Sequence, residues 1–177
     1  PELYGRDTFG HGTVMASIIA GNDGLPDGFK GVAPDAQILA VKVGDNTGAV
    51  DVTQVIAAID WVIANRDADG MNVRVINLSY RTDSNQKYEV DPLAAAAERA
   101  WHAGIVVVAS AGNDGDGNKQ LGNPAIDPYI ISVAAHDEEK TAKASFFSSL
   151  GSRKRSPDFA APGDRVLGLA APGSRLT

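Results

Sequence analysis

The sequence contains no cysteine among its 177 residues. Disulfide bridges, thiolate metal sites and a cysteine nucleophile are therefore excluded. Aromatic residues are scarce, at 6%, and the 16 Lys and Arg residues are outnumbered by 22 Asp and Glu residues, which gives a formal net charge of −6. Because nucleic-acid binding requires a clustered basic face, this acidic balance predicts no nucleic-acid partner.

Long hydrophobic runs are missing as well. No apolar run approaches the roughly 20 residues that a membrane-spanning helix needs, and no signal peptide opens the chain, so we predict no membrane partner. The one basic run, Arg153-Lys154-Arg155, lies in a loop containing Ser and Pro and is predicted to be solvated. With 44% apolar and 21% charged residues, the chain has the composition of one globular domain or most of one.

Short apolar runs alternate with helical patterns along the chain. Strands are predicted at 37–43, 73–79, 105–110, 129–135 and around 166–169. Helices are predicted from His11 to Gly21, from Asp51 as N-cap, and from Asp91 to His102. This alternation predicts an α/β fold, a three-layer sandwich in which a mainly parallel sheet carries helices on both faces. Ligands bind beyond the carboxyl ends of parallel strands, so the candidate loops are those after Val43, Ser79 and Ser110.

Two stretches carry side chains suited to catalysis. His11 lies between Gly10 and Gly12 at the start of a predicted helix, where the helix dipole disfavours the imidazolium form and suits a general base. Asn113 lies in Ser110-Ala111-Gly112-Asn113-Asp114-Gly115, directly after a predicted strand. Its amide could donate a hydrogen bond to an oxyanion, although Gly-Asn-Asp-Gly is also a common turn sequence.

The run from His11 to Ala20 resembles the histidine motif of subtilisin-like serine proteases, the subtilase family (peptidase family S8). Later segments resemble that family's landmarks in the same order, from about His11 to Gly163. These segments are Gly31–Pro34 with the strand to Val43, Val75–Ser79, Ser110–Gly115, Pro124-Ala125 with the Ile130–Ala135 strand, and Phe147-Ser148 through Phe159–Gly163. The chain is identified on these motifs as a member of the subtilase family.

The resemblance implies a serine endopeptidase that acts on polypeptides through an Asp-His-Ser triad. His11 would be the general base of that triad, and Asn113 would donate to the oxyanion. The substrate would be held as an added strand. The residues expected to bind it are Gly48, Ala49, Val50, Ser79, Tyr80, Ser110, Ala111 and Gly112.

Arg81 departs from the family pattern, which usually has glycine at this position. An arginine here either narrows the primary pocket, turns out to solvent, or belongs to a loop of different shape. The segment from Tyr80 to Val90 is also long and polar for this position.

Two triad members have no counterpart in the sequence. The family order places the Asp about 30 residues before the His and the Ser about 160 after it. Asp7 is the sole aspartate before His11 and lacks the expected context, and Ser174 lies in a turn-like Ala-Pro-Gly-Ser-Arg. We therefore expect residues 1–177 to be a partial catalytic domain, an internal fragment that is inactive alone although its parent protein hydrolyses peptides.

No cofactor is required for this chemistry. Asn22, Asp23 and Asp27 lie where many subtilases carry a calcium loop and could bind calcium, but such residues are also ordinary turn formers, so no metal site is assigned. The resemblance also implies secretion and an inhibitory pro-segment, although intracellular members of the family exist.

Two other readings of the sequence stay open. A pseudoprotease would keep His11 and Asn113 but lack a triad partner, and would bind peptides without cleaving them. A nucleotide-binding α/β domain would share the fold, but the sequence has neither a Gly-x-Gly-x-x-Gly nor a Gly-x-x-x-x-Gly-Lys-Ser/Thr motif.

Overall fold

The computed structural model describes residues 6–115, 117, 120–137 and 143–175. It divides into two compact units, one built from the described residues of Pro1–Gln54 and Leu167–Thr177, the other from Val55–Val166. The α-helices are α1 (His11–Ala20), α2 (Val52–Ala64) and α3 (Pro92–His102). The strands are β1 (Val75–Leu78), β2 (Val106–Ser110), β3 (Ile131–His136) and β4 (Phe159–Pro162), and single 3₁₀ turns cover Ala68–Gly70 and Tyr88–Val90.

The second unit is built on a parallel sheet in the order β1-β2-β3-β4. Helix α3 packs against β2, where the alternating residues Val107 and Ala109 are buried. Successive side chains of a strand point to opposite faces, so this pattern marks the face that the helix covers. The predicted α/β class with a parallel sheet is confirmed.

The predicted helices are confirmed, and their start signals work as expected. The Asp91 carboxylate accepts hydrogen bonds from the amides of Leu93 (3.0 Å) and Ala94 (3.1 Å), which caps α3. Likewise the Asp51 carboxylate accepts from the Thr53 amide at 2.8 Å, at the start of α2. These bonds satisfy first-turn amides that have no partner within the helix.

Two predicted strands are wrong. No strand covers 37–43 in the part of the chain described, and Ile38, Leu39 and Val41 are 41–46% exposed. An apolar run becomes a strand only where a neighbour supplies ladder partners, and that condition cannot be read from the run itself. Residues 166–169 form no strand either, and the last described strand is β4, which ends at Pro162. In 166–169 the Leu169 amide donates to the Ser17 hydroxyl of α1 at 2.8 Å instead of to a neighbouring strand.

The start of α1 is fixed by Asp7. One carboxylate oxygen accepts from the Gly10 amide at 2.7 Å, and the other accepts from the amide (2.8 Å) and hydroxyl (2.9 Å) of Thr13. Burial by itself raises the pKa of Asp7, but the hydrogen bonds from Gly10 and Thr13 outweigh it and hold that pKa below its ordinary value. Asp7 therefore anchors the helix terminus that carries His11, a role that its sequence context does not indicate.

The basic run is solvated only in part, which corrects the prediction for Arg155. Arg153 and Lys154 are exposed, but the Arg155 side chain is only 18% exposed. One guanidinium nitrogen donates to the carbonyls of Ala125, Asp127 and Ile130 at 3.1, 3.1 and 2.8 Å. The other donates to Asp158 at 2.7 Å. Arg155 therefore holds the turn before β3 against the start of β4.

Replacing Asp7 with Asn should loosen the first turn of α1. We expect a cost of about 1 kcal/mol, or roughly fivefold faster hydrogen exchange at the α1 amides, because a neutral amide offers fewer acceptor positions than the carboxylate. The exposed Asp35→Asn is the matched control and should leave exchange unchanged. A carboxyl with a lowered folded pKa contributes stability above its unfolded pKa and loses it as the pH falls. The difference should therefore vanish in acid, and a difference that persists there would contradict this role.

Replacing Arg155 with Ala should destabilise the second unit by about 3 kcal/mol, since it leaves Asp158 and three buried carbonyls without their charged donor. Arg155→Lys should recover only part of this, because one ammonium cannot reproduce the planar fork. The urea midpoint followed by tryptophan fluorescence, from Trp61 and Trp101 of the same unit, measures both. Arg153→Ala, in the same loop, is the control, and an equal shift in both alanine variants would refute the assignment.

Candidate functional site

His11 is the first residue of α1 and is exposed. Gly10, just before it, has φ of +110°, a left-handed conformation that favours glycine. The helix therefore presents His11 at its amino end, on a turn that Asp7 fixes.

The loop after β2 presents Asn113 on a tightly bonded backbone. The Ala111 amide donates to the Val133 carbonyl (2.9 Å), and the Ala111 carbonyl accepts from the Gly122 amide (3.2 Å). The Gly112 carbonyl accepts from the Ser149 amide at 2.9 Å. Asn113 itself is exposed at the carboxyl end of β2. Its side chain is thus carried by a loop whose neighbouring peptide groups are fixed.

Ser149 is the residue that sequence reasoning missed in this loop. It is fully buried, and its hydroxyl accepts a hydrogen bond from the Asp114 amide at 3.1 Å. Gly112 has φ of +117°, and a Cβ there would lie 2.9 Å from the Ser149 hydroxyl oxygen. Glycine is therefore required at 112 by backbone conformation and by space. No local pattern could have linked positions so far apart in the chain.

The loop after β1 lies against the Asn113 loop. The Asn77 amide group donates to the Ser79 hydroxyl at 3.0 Å. Arg81 donates to Asp83 and to Asp114, each at 2.6 Å, and its side chain is only 22% exposed. The sequence left open whether Arg81 narrows the primary pocket, points into solvent or belongs to a loop of different shape. The side chain does not point into solvent, so that alternative is wrong.

A cavity of about 260 Å³ opens beside these loops. It lies next to the carboxyl ends of β1 and β2, where ligands of parallel sheets bind. Its lining comes from the loop after β1, from Asp114 and from the segment before Asn123: Arg81, Thr82, Asp83, Ser84, Asn85, Asp114, Gln120, Leu121 and Gly122.

The predicted substrate segment 48–50 lies in the first unit, in a tight turn. The Asp45 amide donates to the Ala49 carbonyl (3.0 Å), and the Ala49 amide donates to the Asp45 carboxylate (3.1 Å). Gly48 has φ of +86°, and a Cβ there would lie 2.6 Å from the Phe9 ring. The Gly48 amide also donates to the Asp45 carbonyl at 3.3 Å, so the amides of Gly48 and Ala49 are both bonded within the turn.

The possible calcium loop is organised as a turn. The Asn22 side-chain oxygen accepts from the Gly24 amide (2.9 Å), and the Asp23 carboxylate accepts from the amides of Leu25 (3.0 Å) and Phe29 (2.7 Å). These bonds lower the pKa of Asp23. Within the described residues, no cluster of three or more His, Cys, Asp or Glu side chains is placed to hold a metal ion.

The predicted site residues fall into two groups. His11 and 48–50 belong to the first unit, whereas Asn113, Ser79, Tyr80 and 110–112 belong to the second, where Arg81 joins the two loops. Among the described helices, none combines the length and the apolar character that a bilayer crossing requires.

Comparison with known proteins identifies the family of this chain. The model of the subtilase family matches residues 4–176. Serine protease AprX of Bacillus subtilis is 33% identical over 96% of this chain and 41% of its own length. Subtilisin-like protease 2 of Trichophyton rubrum is 38% identical over the whole chain and 38% of its own length. The chain thus spans about two fifths of these relatives.

Solved structures agree. Sphericase aligns with a TM-score of 0.83 and 28% identity, and a psychrophilic protease, S41, aligns with 0.81 and 27%. Each alignment covers 96% of this chain and 57% of the solved one, and confirms the predicted α/β fold class with its mainly parallel sheet. The chain belongs to the subtilase family.

Proposed function

We propose that the protein carrying this chain is a serine endopeptidase. The observation that carries the proposal is the Asn113 loop, which offers an exposed side-chain amide at the carboxyl end of a parallel strand and whose backbone is bonded to β3, Gly122 and Ser149. A preorganised donor of this kind stabilises the negative charge that develops on a carbonyl oxygen during acyl transfer. The named protease relatives support the same reaction class.

His11 is the general base of this reaction. A serine hydroxyl attacks the peptide carbonyl carbon, and its proton passes to the His11 imidazole. The resulting oxyanion accepts a hydrogen bond from the Asn113 amide. His11 then gives the proton to the departing amine, and a water molecule repeats the sequence to release the acid. The serine and the aspartate of the triad are supplied from outside residues 1–177.

The substrate polypeptide binds in extended form. Gly48, Ala49 and Val50 contact it at the Asp45 turn, and Ser79, Tyr80 and 110–112 contact it at the loops after β1 and β2. No cofactor takes part in the chemistry. We propose that the protein lies outside the cell, because one relative that is 36% identical is named as a minor extracellular protease, Epr of Bacillus subtilis. An inhibitory pro-segment is a further proposed partner.

Replacing Asn113 with Ala in the full-length protein should lower kcat by about 10²–10³-fold with little change in KM. This is the range measured when the oxyanion donor of a subtilisin, a member of the same family, is removed. Steady-state kinetics on a peptide substrate measures it. Asn65→Ala, at the end of α2, is the control and should keep full activity. A kcat unchanged in Asn113→Ala would remove Asn113 from the reaction.

The isolated 177-residue chain should hydrolyse no peptide, because loss of the nucleophile removes nearly all triad catalysis. The test is release of fluorophore from quenched peptides, with the full-length protein as the positive control. Turnover by the isolated chain that His11→Ala abolishes would show that a nucleophile lies within residues 1–177.

A further inference from the structure

The stem of Arg81 lies across two glycines of neighbouring loops. A Cβ placed on Gly122 would lie 2.8 Å from its Cδ, and one on Gly112 would lie 3.3 Å from the same atom. The two glycines lie in segments joined by the bond from the Gly122 amide to the Ala111 carbonyl. The aliphatic part of Arg81 therefore fills a slot whose walls are bare backbone, and a side chain at either wall would close it.

The guanidinium ends between two carboxylates. It donates to Asp83 and to Asp114 at 2.6 Å each. Asp114 is 32% exposed and Asp83 is 88% exposed, so Asp114 is the more enclosed partner. A slot between two glycines that leads to carboxylates has the shape and charge to receive a basic side chain of a substrate. Here the basic side chain comes from the protein itself.

This slot adjoins the proposed oxyanion donor. Of the chain neighbours of Asn113, Asp114 accepts a hydrogen bond from Arg81, and a Cβ on Gly112 would lie 3.3 Å from the Arg81 Cδ. Consecutive Cα atoms are only about 3.8 Å apart, so Asn113 lies within one residue of both groups that line the slot. A substrate whose carbonyl oxygen is held by the Asn113 amide therefore has a side chain next to the mouth of the slot.

We propose that Arg81 occupies the substrate side-chain pocket beside Asn113 as an internal stand-in for a basic residue, and so restricts cleavage to peptides with a small uncharged residue there. The inference rests on the proposed endopeptidase function. A large side chain meets the Arg81 stem. An acidic one meets Asp83 and Asp114, which together with Arg81 carry one net negative charge. A basic one finds both carboxylates already paired.

The first test measures cleavage by the full-length protein in a defined peptide library, read by mass spectrometry. The wild type should cleave after Gly, Ala and Ser. Arg81→Gly should raise kcat/KM after Lys and Arg at least tenfold relative to Ala, because the slot is then empty and its carboxylates no longer bond the Arg81 guanidinium. Arg81→Gly with Asp114→Asn should lose most of that gain. Arg81→Met, whose side chain still fills the slot, should keep the preference of the wild type.

The second test measures binding and does not depend on catalysis. n-Propylguanidinium should bind Arg81→Gly and should bind at least tenfold more weakly to the wild type and to the variant that also carries Asp114→Asn. NMR chemical shifts of the Gly112 and Gly122 amides report the site.

The outcomes separate the two proposals. A wild type that cleaves peptides but prefers large, acidic or basic residues overturns the role of Arg81, as does an Arg81→Gly variant with unchanged specificity. If no peptide is cleaved while n-propylguanidinium still binds as expected, the endopeptidase function fails and the slot stands as a guanidinium-binding pocket.

Discussion

The candidate site depends on the two hydrogen bonds between Ser149 and the loop after β2. The Gly112 carbonyl accepts from the Ser149 amide, and the Ser149 hydroxyl accepts from the Asp114 amide, so one buried serine fixes the peptide groups on both sides of Asn113. The left-handed conformation of Gly112 makes this geometry possible. Without these two bonds, an exposed asparagine on a short loop would sample many orientations, and a donor that must reorganise stabilises a developing charge poorly.

Much of the fold could be predicted from the sequence because its local signals are strong. Asp51 and Asp91 cap helices as their positions indicate, and the apolar runs at 105–110 and 129–135 form β2 and β3. The failures lie where a segment depends on partners elsewhere in the chain. Residues 37–43 have the composition of a strand but no ladder in the described structure, and 166–169 bond to α1 through Ser17.

Only the part of the candidate site that lies in distinctive local motifs could be predicted from the sequence. His11 and Asn113 could be named because their flanking sequences are distinctive, whereas the residues that position them could not. Asp7 acts through amides three and six positions along the chain, and Ser149 acts across 35 positions. The bond between Arg81 and Asp114 spans 33 positions. It holds the arginine that departs from the family pattern in the slot beside Asn113. Long-range contacts of this kind leave no periodic signal.

The proposed function requires that His11 activates a serine in the full-length protein. Incubation with a fluorophosphonate probe, followed by mass spectrometry of the labelled peptide, tests this most directly, because such probes react with an activated serine hydroxyl. We expect labelling of one serine outside residues 1–177, and loss of that labelling in His11→Ala but not in His102→Ala, whose histidine is exposed at the end of α3. A folded protein free of any pro-segment that stays unlabelled would overturn the proposed function and leave a domain that binds peptides without cleaving them.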